Sequence, residues 1–337
     1  MDITMKRAYY TLIPYTIRIK IKRIKHRKTI DVSKTYFDHQ ETQFKNHTDN
    51  LIFDDQRRTD ILRIFSLLRK NGFDVFPEID DAIRAKYFTR KLNIEKDHET
   101  NLFYILIDNK KLFYKNGMNE TTIKQSFDLV SLEQDYRSPH RYLTNDNYFV
   151  GVVGSDSKQF NGDSFGINEG DVVVDAGAAE GNFALSVVEK ASKVYIIEGD
   201  AEWCKALKQT FAPYKEKVEI IQKYLSDNTN DNNITLKDLI KKYNIKKIDF
   251  LKMDIEGYEQ KALNGATLDK TNFTEINKMA ICIYHNPQDE TTISNFLAQY
   301  GYKFYLTDGY IVISDSNNPI IRKGILRAYK EQNHKNN

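Results

Sequence analysis

The feature that most constrains the fold is a change of pattern near residue 170, where short apolar runs begin to alternate with helical segments. Each run is β-prone, and each is followed by polar turn residues or a helical run. Such alternation is typical of a parallel α/β sheet, because a crossover helix joins two parallel neighbours. The predicted strands are 171–175, 193–198, 218–224, 248–254 and 279–285.

The end of this region breaks the parallel pattern. Residues 302–306 and 310–314 are both β-prone and are joined by Thr307-Asp308-Gly309, and Asp-Gly between such runs is typical of an antiparallel hairpin. Five parallel strands followed by an antiparallel hairpin are the plan of the class I methyltransferase fold, a Rossmann-like α/β sheet. An ordinary dinucleotide domain is disfavoured, because its sheet is usually parallel throughout.

The chain before this sheet is organised differently. Helical spacing predicts helices within 51–90, the runs 102–107 and 112–114 predict a hairpin, and residues 121–134 predict another helix. At 337 residues the chain is longer than one standard domain. The expected parts are a basic leader (1–30), a mixed helix and hairpin region acting as a lid or substrate region (31–150), the methyltransferase-like domain (151–330) and a flexible tail (331–337).

Positive charge is concentrated at the start of the chain. The formal net charge is +3, but the first 30 residues hold nine Lys and Arg against Asp2, which leaves 41 basic and 46 acidic residues elsewhere. An acidic body argues against a nucleic-acid partner, which demands a phosphate-neutralising surface. The leader is either a solvated arm or a segment that contacts an anionic membrane.

The expected location is the cytoplasm, with association at the membrane surface as an addition to it. No stretch reaches the roughly 18 consecutive apolar residues of a membrane span, and basic residues interrupt any secretory signal. The only two cysteines, Cys204 and Cys282, lie far apart in apolar stretches, which fits a reducing compartment.

The strongest chemical signal lies where the first predicted strand ends. A small-residue turn with two glycines follows Asp175, and glycines let a ligand approach the backbone closely. Glu198 ends the next strand, where an acid can accept hydrogen bonds from both hydroxyls of a ribose. The expected cofactor-binding residues here are Asp175, Gly177, Ala178, Glu180, Gly181, Asn182, Phe183, Glu198 and Gly199.

Two ligands are candidates for such a turn, a nicotinamide dinucleotide and S-adenosylmethionine. A pyrophosphate is anionic and favours a Gly-x-Gly-x-x-Gly turn free of carboxylates, whereas Asp175 and Glu180 place two acids here. S-adenosylmethionine carries a cationic sulfonium and a cationic ammonium, so the charges favour it. A purely structural turn is the other alternative. Asp227, after the third strand, is expected to reach the adenine edge or to belong only to a polar loop.

Three polar side chains are expected to meet beyond the fourth and fifth strands. Asp254 and Glu256 follow strand four, and His285 ends strand five. Ligands of open α/β sheets bind beyond the carboxyl ends of the strands, so these residues are candidate catalytic groups, and Asp254 is also an expected cofactor-binding residue. Neighbouring carboxylates are expected to raise the pKa of His285, which suits a general base. The structural alternatives are a helix-dipole role for Glu256 and a spacer role for His285.

At these residues the chain resembles the FkbM-type methyltransferases, S-adenosylmethionine-dependent O-methyltransferases that often act on sugar hydroxyls. Asp175-Ala176-Gly177-Ala178-Ala179-Glu180-Gly181 resembles the family's Asp-x-Gly-Ala-x-x-Gly motif. Lys252-Met253-Asp254-Ile255-Glu256-Gly257-Tyr258-Glu259 resembles its Lys-x-Asp-Val/Ile-Glu-Gly-x-Glu motif, and Ser226-Asp227 fits a Ser-Asp pair after strand three. The resemblance covers about 168–314. Glu180 departs from it, because the family usually has a neutral residue there. The alternatives are a contact between Glu180 and the ammonium group of the cofactor, or a subfamily with a different acceptor.

The resemblance implies methyl transfer from S-adenosyl-L-methionine to a hydroxyl of a sugar or glycan, as in surface polysaccharide biosynthesis. Asp175, Gly177 and Gly181 would hold the methionine portion, Glu198 the ribose and Asp227 the adenine. Either His285 or Asp254 would remove the hydroxyl proton. A magnesium ion held by Asp254, Glu256 and His285 is an alternative way to acidify the hydroxyl, although no spacing here is diagnostic of a metal.

The acceptor is expected to enter past a basic and aromatic cluster that directly precedes the α/β domain, with Arg137, His140 and Arg141 as acceptor-binding residues. The basic leader points to a lipid-linked or membrane-proximal acceptor. Three alternatives remain open: a methyltransferase of another small molecule, a nicotinamide-dependent oxidoreductase, and a module that binds the cofactor without catalysis.

Overall fold

The structure, a computed structural model, describes residues 75–77, 91–134, 139–143, 165–266, 276–307, 310–314 and 319–330. All of these belong to one unit, Arg63–Asn337. The strands in chain order are β1 (Val75–Pro77), β2 (Ile94–Lys96), β3 (Phe103–Ile107), β4 (Lys110–Phe113), β5 (Val172–Ala176), β6 (Lys193–Ile197), β7 (Val218–Ile221), β8 (Tyr224–Leu225), β9 (Asn233–Ile234), β10 (Ile248–Met253), β11 (Ile276–Cys282), β12 (Lys303–Leu306), β13 (Tyr310–Ser314), β14 (Pro319–Arg322) and β15 (Ile325–Tyr329). The helices are α1 (Glu120–Glu133), α2 (Asn182–Val187), α3 (Ala201–Thr210), α4 (Leu236–Lys242), α5 (Glu259–Gly265) and α6 (Asp289–Gln299).

A seven-stranded sheet in the order β12-β15-β11-β10-β5-β6-β7 forms the centre of this unit. The neighbours from β11 to β7 pair in parallel, and only β15 runs antiparallel to the strands beside it. The predicted α/β fold is therefore confirmed. Each of the five predicted parallel strands is present, although β11 begins three residues earlier than predicted, at Ile276.

The predicted hairpin between 302–306 and 310–314 is wrong. β12 pairs instead with β15, which lies between β12 and β11, while β13 joins β1 and β14 in a separate three-stranded sheet. An inserted strand needs apolar side chains on both faces, and Ile325, Leu326 and Ala328 are fully buried. Arg327 hides this pattern in the sequence, yet it is also buried, because main-chain carbonyls accept its hydrogen bonds.

The two faces of the sheet carry separate apolar cores. The central strand β10 is buried at all six of its residues, so it can pack on both faces at once. On one face lie side chains such as Leu251, Leu263 and Leu297, and on the other Phe250, Phe183 and Leu207. Burial on both faces is typical of a central parallel strand and explains why β10 reads as a continuous apolar run apart from Asp249 and Lys252.

The region before the sheet shares its core. β3 and β4 form the predicted hairpin, and its turn residues Asp108 and Asn109 both have positive φ, as a tight two-residue turn requires. Ile105, Leu112 and the α1 residue Ile123 belong to the apolar cluster on the Phe250 face. The hairpin and the helix predicted at 121–134 are therefore confirmed, and both pack on the α/β domain.

Other predictions for this region have a different outcome. Within 51–90, where helices were expected, the described residues Val75–Pro77 are a strand that pairs in parallel with β13. The basic leader, the tail, the domain boundaries at 30 and 150, and Arg137 lie outside the described residues. None of the helices that the structure describes is long and apolar enough to cross a membrane.

Candidate active site

The turn after β5 depends on backbone positions that favour glycine. Gly177 has φ 71°, and a Cβ there would lie 1.7 Å from the main-chain oxygen of Asp254. Gly181, with φ 86°, begins α2, and its Cβ would meet the side chains of Leu207 and Phe211. Ala179 adopts a positive φ without being a glycine. The predicted glycine turn is thus present, and it sits against the end of β10.

Asp175 lies beneath the turn. Its side chain is fully buried, and its Oδ1 is 3.1 Å from Nζ of Lys252 on the neighbouring strand. The same Nζ donates to the carbonyl oxygen of Gly177 at 2.6 Å. Burial disfavours the charged lysine, but Asp175 and Asp254 raise its pKa above the ordinary value. This pair therefore supports the turn from below, and the predicted contact between Asp175 and the methionine portion stays a prediction.

Glu198 is held rigidly beside the turn. Its Oε2 accepts a hydrogen bond from the main-chain N–H of Ala179 at 2.9 Å, and its Oε1 accepts from that of Asp200 at 2.8 Å. These bonds fix both carboxylate oxygens and leave them further lone pairs, so the carboxylate can still accept ribose hydroxyls. The ring of Tyr224, itself half exposed, covers Gly199 so closely that a Cβ there would lie 2.1 Å from it.

The remaining residues of the predicted cofactor set differ in exposure. Ala178 and Phe183 are buried, and Phe183 packs edge-on against Tyr142. Asn182 is partly exposed, and Asp227 is exposed beside the Ser226 hydroxyl, which donates to it at 3.2 Å. Phe183 thus belongs to the apolar core behind the turn. Asp227 is free to meet a ligand at the end of the third strand of the sheet.

Glu180 is a buried carboxyl inside the turn. Burial is the largest effect on it and raises its pKa to about 7, with the negative charge of Glu133 acting in the same direction. A carboxyl with this pKa changes its charge near neutral pH. A bound ammonium group would favour the ionised form, because an opposite charge stabilises a carboxylate.

Asp254 is partly buried, and two tyrosine hydroxyls donate to its carboxylate. The Tyr142 hydroxyl donates to Oδ2 at 2.6 Å, and the Tyr284 hydroxyl donates to Oδ1 at 3.3 Å. Burial alone would raise the pKa of Asp254, but Lys252, the Tyr142 hydrogen bond and His285 together hold it below the ordinary value. Asp254 is therefore a stable carboxylate and a weak base.

His285 lies among three carboxylates. Its Nε2 is 3.5 Å from Asp254 Oδ1 and 3.6 Å from Glu256 Oε2, and its Nδ1 is 3.1 Å from Glu259 Oε1. Burial lowers the pKa of His285, but Glu259, Asp254 and Glu256 outweigh that effect and raise it above 6.5. The predicted meeting of Asp254, Glu256 and His285 is confirmed. The side chain of Glu256 approaches His285 from an exposed position, and the backbone of Glu256 has φ 55°.

A short segment, 139–143, brings Tyr142 into this site. Arg327 donates to the carbonyl oxygens of Tyr142 and Leu143 at 3.1 and 3.2 Å, and the Thr307 hydroxyl donates to that of Pro139 at 2.6 Å. We call residues 139–143 the strap. The strap is fastened to β15 and to the end of β12, so its position follows from the sheet.

Two of the predicted acceptor-binding residues lie on the strap. The His140 ring stacks on the Tyr284 ring at a centroid distance of 4.8 Å and an interplanar angle of 7°, which places it next to His285. Arg141 is buried rather than open at an entrance. The structure thus brings His140 to the site, and the acceptor contacts of both residues stay predictions.

The donors do not fit the magnesium site considered as an alternative. One ligand atom each from Asp254, Glu259 and His285 lies within 4.8 Å of the others, a set that replaces Glu256 by Glu259. However, Asp254 and Glu259 face opposite nitrogens of the imidazole, and both oxygens of Asp254 accept from tyrosine hydroxyls. Magnesium requires near-octahedral oxygen ligands. The arrangement is an imidazole with carboxylates on its two sides, which does not suit magnesium.

Three residues of the site were not assigned a role from sequence. Lys252 and Glu259 stand in the quoted motif, and a lysine inside an apolar strand signals a buried ion pair. Glu259 looked like an ordinary acid in a first helical turn, but it is fully buried against His285. Tyr142 lies 112 residues from Asp254 in the chain, and no local pattern signals that contact.

Comparison with known proteins gives one family match. Residues 216–304 match the methyltransferase FkbM domain, a range that includes Asp227, Asp254, Glu256, Glu259 and His285. The first motif and Glu198 precede the matched range. No curated protein sequence matches the chain.

Solved structures with similar folds include several methyltransferases. The methyltransferase FkbM of Methylobacillus flagellatus KT is 19% identical, with 63% of this chain and 56% of that chain covered and a TM-score of 0.41. An rRNA methylase from Streptococcus thermophilus is 15% identical, with 49% and 90% covered and a TM-score of 0.34. M. capricolum TrmK in complex with S-adenosyl-homocysteine is 14% identical, with 49% and 65% covered and a TM-score of 0.34.

The family match lies on the part of the chain that supplies the acid and histidine cluster. It confirms the predicted resemblance there and favours methyl transfer over the nicotinamide alternative. Over residues 216–304, the chain matches the methyltransferase FkbM domain.

Proposed function

We propose that the protein is an S-adenosylmethionine-dependent O-methyltransferase that acts on a hydroxyl group of a sugar or glycan. The observation that carries the proposal is the placement of His285 beyond the carboxyl ends of β10 and β11. It stands among Asp254, Glu256 and Glu259 within the matched domain. A partly buried imidazole with a raised pKa can take a proton from a hydroxyl.

The residues around the turn fit S-adenosylmethionine. Glu180 and Glu198 place carboxylates beside it, and the charge of the nearby Lys252 is matched by Asp175. Such a site suits a cation and disfavours a pyrophosphate. S-adenosylmethionine, when bound, supplies an electrophilic methyl group and leaves as a neutral thioether.

The protein's part in the reaction is orientation and proton removal. His285 Nε2 would take the proton of the acceptor hydroxyl as the hydroxyl oxygen receives the methyl group, and the proton would remain on the imidazole. Asp254 then stabilises the imidazolium, because its own pKa is lowered and it stays negative. Orientation of the two reactants contributes much of the rate enhancement in such displacements.

Two features support a sugar or glycan as the acceptor, the aromatic rings at the strap and the positive charge of the basic leader. The His140 and Tyr284 rings form an aromatic surface next to His285, which suits the apolar face of a sugar ring. The basic leader supports an acceptor at an anionic membrane, such as a lipid-linked glycan, for a protein that otherwise works in the cytoplasm.

The test is methyl transfer from methyl-labelled S-adenosylmethionine to a panel of acceptors. The panel contains free sugars, nucleotide sugars, lipid-linked oligosaccharides, catechols and RNA. We expect label in a sugar or glycan, and mass spectrometry would locate the methylated oxygen. If only catechol is labelled, the acceptor is a small molecule other than a sugar. Label in RNA would contradict the proposal.

The leader and the strap have separate tests. Deletion of residues 1–30 is expected to abolish binding to liposomes of anionic lipids and to leave methylation of a soluble acceptor unchanged. His140→Ala is expected to raise the KM for the acceptor. If liposome binding survives the deletion, or if the KM does not change, the corresponding part of the proposal is wrong.

A further inference from the structure

We propose that Glu259 is a positioning residue that orients His285, so that the Nε2 atom of the imidazole faces the acceptor hydroxyl as a base. The inference rests on the proposed function for the identity of the reaction. The orientation of the ring can be measured without it.

Glu259 is buried, so its carboxylate contacts the groups next to it and not solvent. It is the first residue of α5 and is fully buried, and its Oε1 accepts the main-chain N–H of Ile255 at 2.9 Å. The same oxygen lies 3.1 Å from His285 Nδ1. The bond to Ile255 restrains the carboxylate, so Oε1 offers an acceptor to Nδ1 at one place.

The two nitrogens of His285 differ in their surroundings. Nδ1 has Glu259 at hydrogen-bonding distance, whereas the carboxylates nearest to Nε2 lie at 3.5 and 3.6 Å, too far for strong hydrogen bonds. A hydrogen on Nδ1 is therefore favoured, and the lone pair of Nε2 remains available. The Nδ1 contact is not yet an aligned hydrogen bond, and such bonds often align only when the substrate is bound.

The ring is also fixed by its main chain. Arg322 donates to the carbonyl oxygens of Tyr284 and His285 and thereby holds the end of the strand. A Cβ on Gly257 would lie 3.5 Å from the Cβ of His285, so the turn before α5 packs closely against the histidine. These contacts limit the ways in which the ring can turn away from Glu259.

Besides Arg322, the charged groups that face His285 in the described part of the chain are acids from three places. Asp254 and Glu256 follow β10, Glu259 begins α5, and Asp289 begins α6, where it accepts the main-chain N–H of Asn286. Among the described acids within 3.6 Å of the ring, only Glu259 faces Nδ1. Loss of its charge should therefore change the tautomer as well as the pKa of His285.

A helix-capping role alone does not account for a carboxylate at this position. An amide oxygen could accept the Ile255 N–H equally well, and a buried carboxylate costs more than a buried amide. Glu259 Oε2 also has no hydrogen-bond partner among the described residues, which adds to that cost. The negative charge next to Nδ1 is the feature that an amide would lack.

The first test uses the wild-type protein with ¹⁵N-labelled histidine, in which His285→Gln assigns one of seven histidines. We expect neutral His285 to carry its hydrogen on Nδ1. In Glu259→Gln, the His285 pKa should fall by about 1 unit or more, and the tautomers should mix. The matched control is Glu290→Gln, an exposed acid in the first turn of α6, which should change neither.

The second test is kinetic. Glu259→Gln should lower kcat about tenfold or more, move the acidic limb of the pH profile to lower pH, and leave the acceptor KM and the affinity for S-adenosylhomocysteine unchanged. A hydrogen on Nε2 in the wild type, or an unchanged tautomer in Glu259→Gln, would overturn the inference. If the Glu259→Gln variant does not fold, the tautomer of His285 in the wild type still tests the inference. If the wild type transfers no methyl group, the proposed function fails while the tautomer still tests Glu259.

Discussion

The turn after β5 and the cluster around His285 lie at the same edge of the sheet but are built in different ways. The turn is shaped by backbone, with glycines at positive φ and a buried ion pair beneath it. The cluster is shaped by side chains from the strap, β10, α5 and β11. A change in the turn should therefore affect folding and cofactor binding, whereas a change in the cluster should affect the reaction more than the fold.

The largest effect is expected at Gly177. In Gly177→Ala the new Cβ would lie 1.7 Å from the Asp254 main-chain oxygen, and φ is 71°. Overpacking costs about 1–3 kcal/mol and a left-handed residue about 1–2 kcal/mol, so we expect a loss of about 2–5 kcal/mol in the free energy of unfolding. Urea unfolding measures it.

Gly170→Ala is the matched control, because φ is 85° and nothing lies within 4 Å of the new Cβ. It should cost only the conformational part, about 1–2 kcal/mol. Equal losses in the two variants would mean that the close approach of β10 to the turn is incorrect.

His285→Gln should lower methyl transfer by about 10²–10⁴-fold, the usual contribution of a general base. Binding of S-adenosylhomocysteine should be retained, since the turn is unchanged. The wild-type rate should rise with pH through the pKa of His285, which lies above 6.5, because only the neutral imidazole accepts a proton. His98→Gln, at an exposed position between β2 and β3, should have no effect. Wild-type activity below pH 5 would argue against this base.

Tyr142→Phe tests the contribution of the strap. It removes the 2.6 Å hydrogen bond to Asp254, and such bonds to charged groups are worth about 1.5–3 kcal/mol. We expect turnover to fall about tenfold or more and the Asp254 pKa to rise. Tyr302→Phe loses a bond to the Ile276 carbonyl oxygen at the opposite end of β11 and should leave the kinetics unchanged. Similar kinetics in both variants would mean that the Tyr142 hydroxyl does not contribute to the reaction.

The smallest effect is expected at Glu180. Its pKa is about 7 when no ligand is bound, so a bound ammonium group must drive off a proton below that pH. Calorimetry should show S-adenosylhomocysteine binding several-fold more tightly at pH 8 than at pH 6. Glu180→Gln should remove this dependence. If the pH dependence persists in Glu180→Gln, another group is responsible.

Local sequence pattern predicts some features of the fold and the site and misses others. The strands, the glycine turn and the meeting of Asp254 with His285 follow from local pattern and from the rule that parallel strands end at one edge. The position of β15 does not, because Arg327 interrupts its apolar pattern, and carbonyls of the strap, distant in sequence, accept its hydrogen bonds. Tyr142 and the buried state of Glu259 likewise depend on tertiary contacts that no local pattern contains.

The most direct test of the central claim is calorimetric titration of the wild-type protein with S-adenosylhomocysteine and, separately, with NAD. It is repeated with Glu198→Gln and with the matched control Glu202→Gln, which changes a partly exposed acid of α3. We predict binding of S-adenosylhomocysteine only, weakened in Glu198→Gln and unchanged in Glu202→Gln. Binding of NAD, or binding of S-adenosylhomocysteine that does not depend on Glu198, would contradict the account.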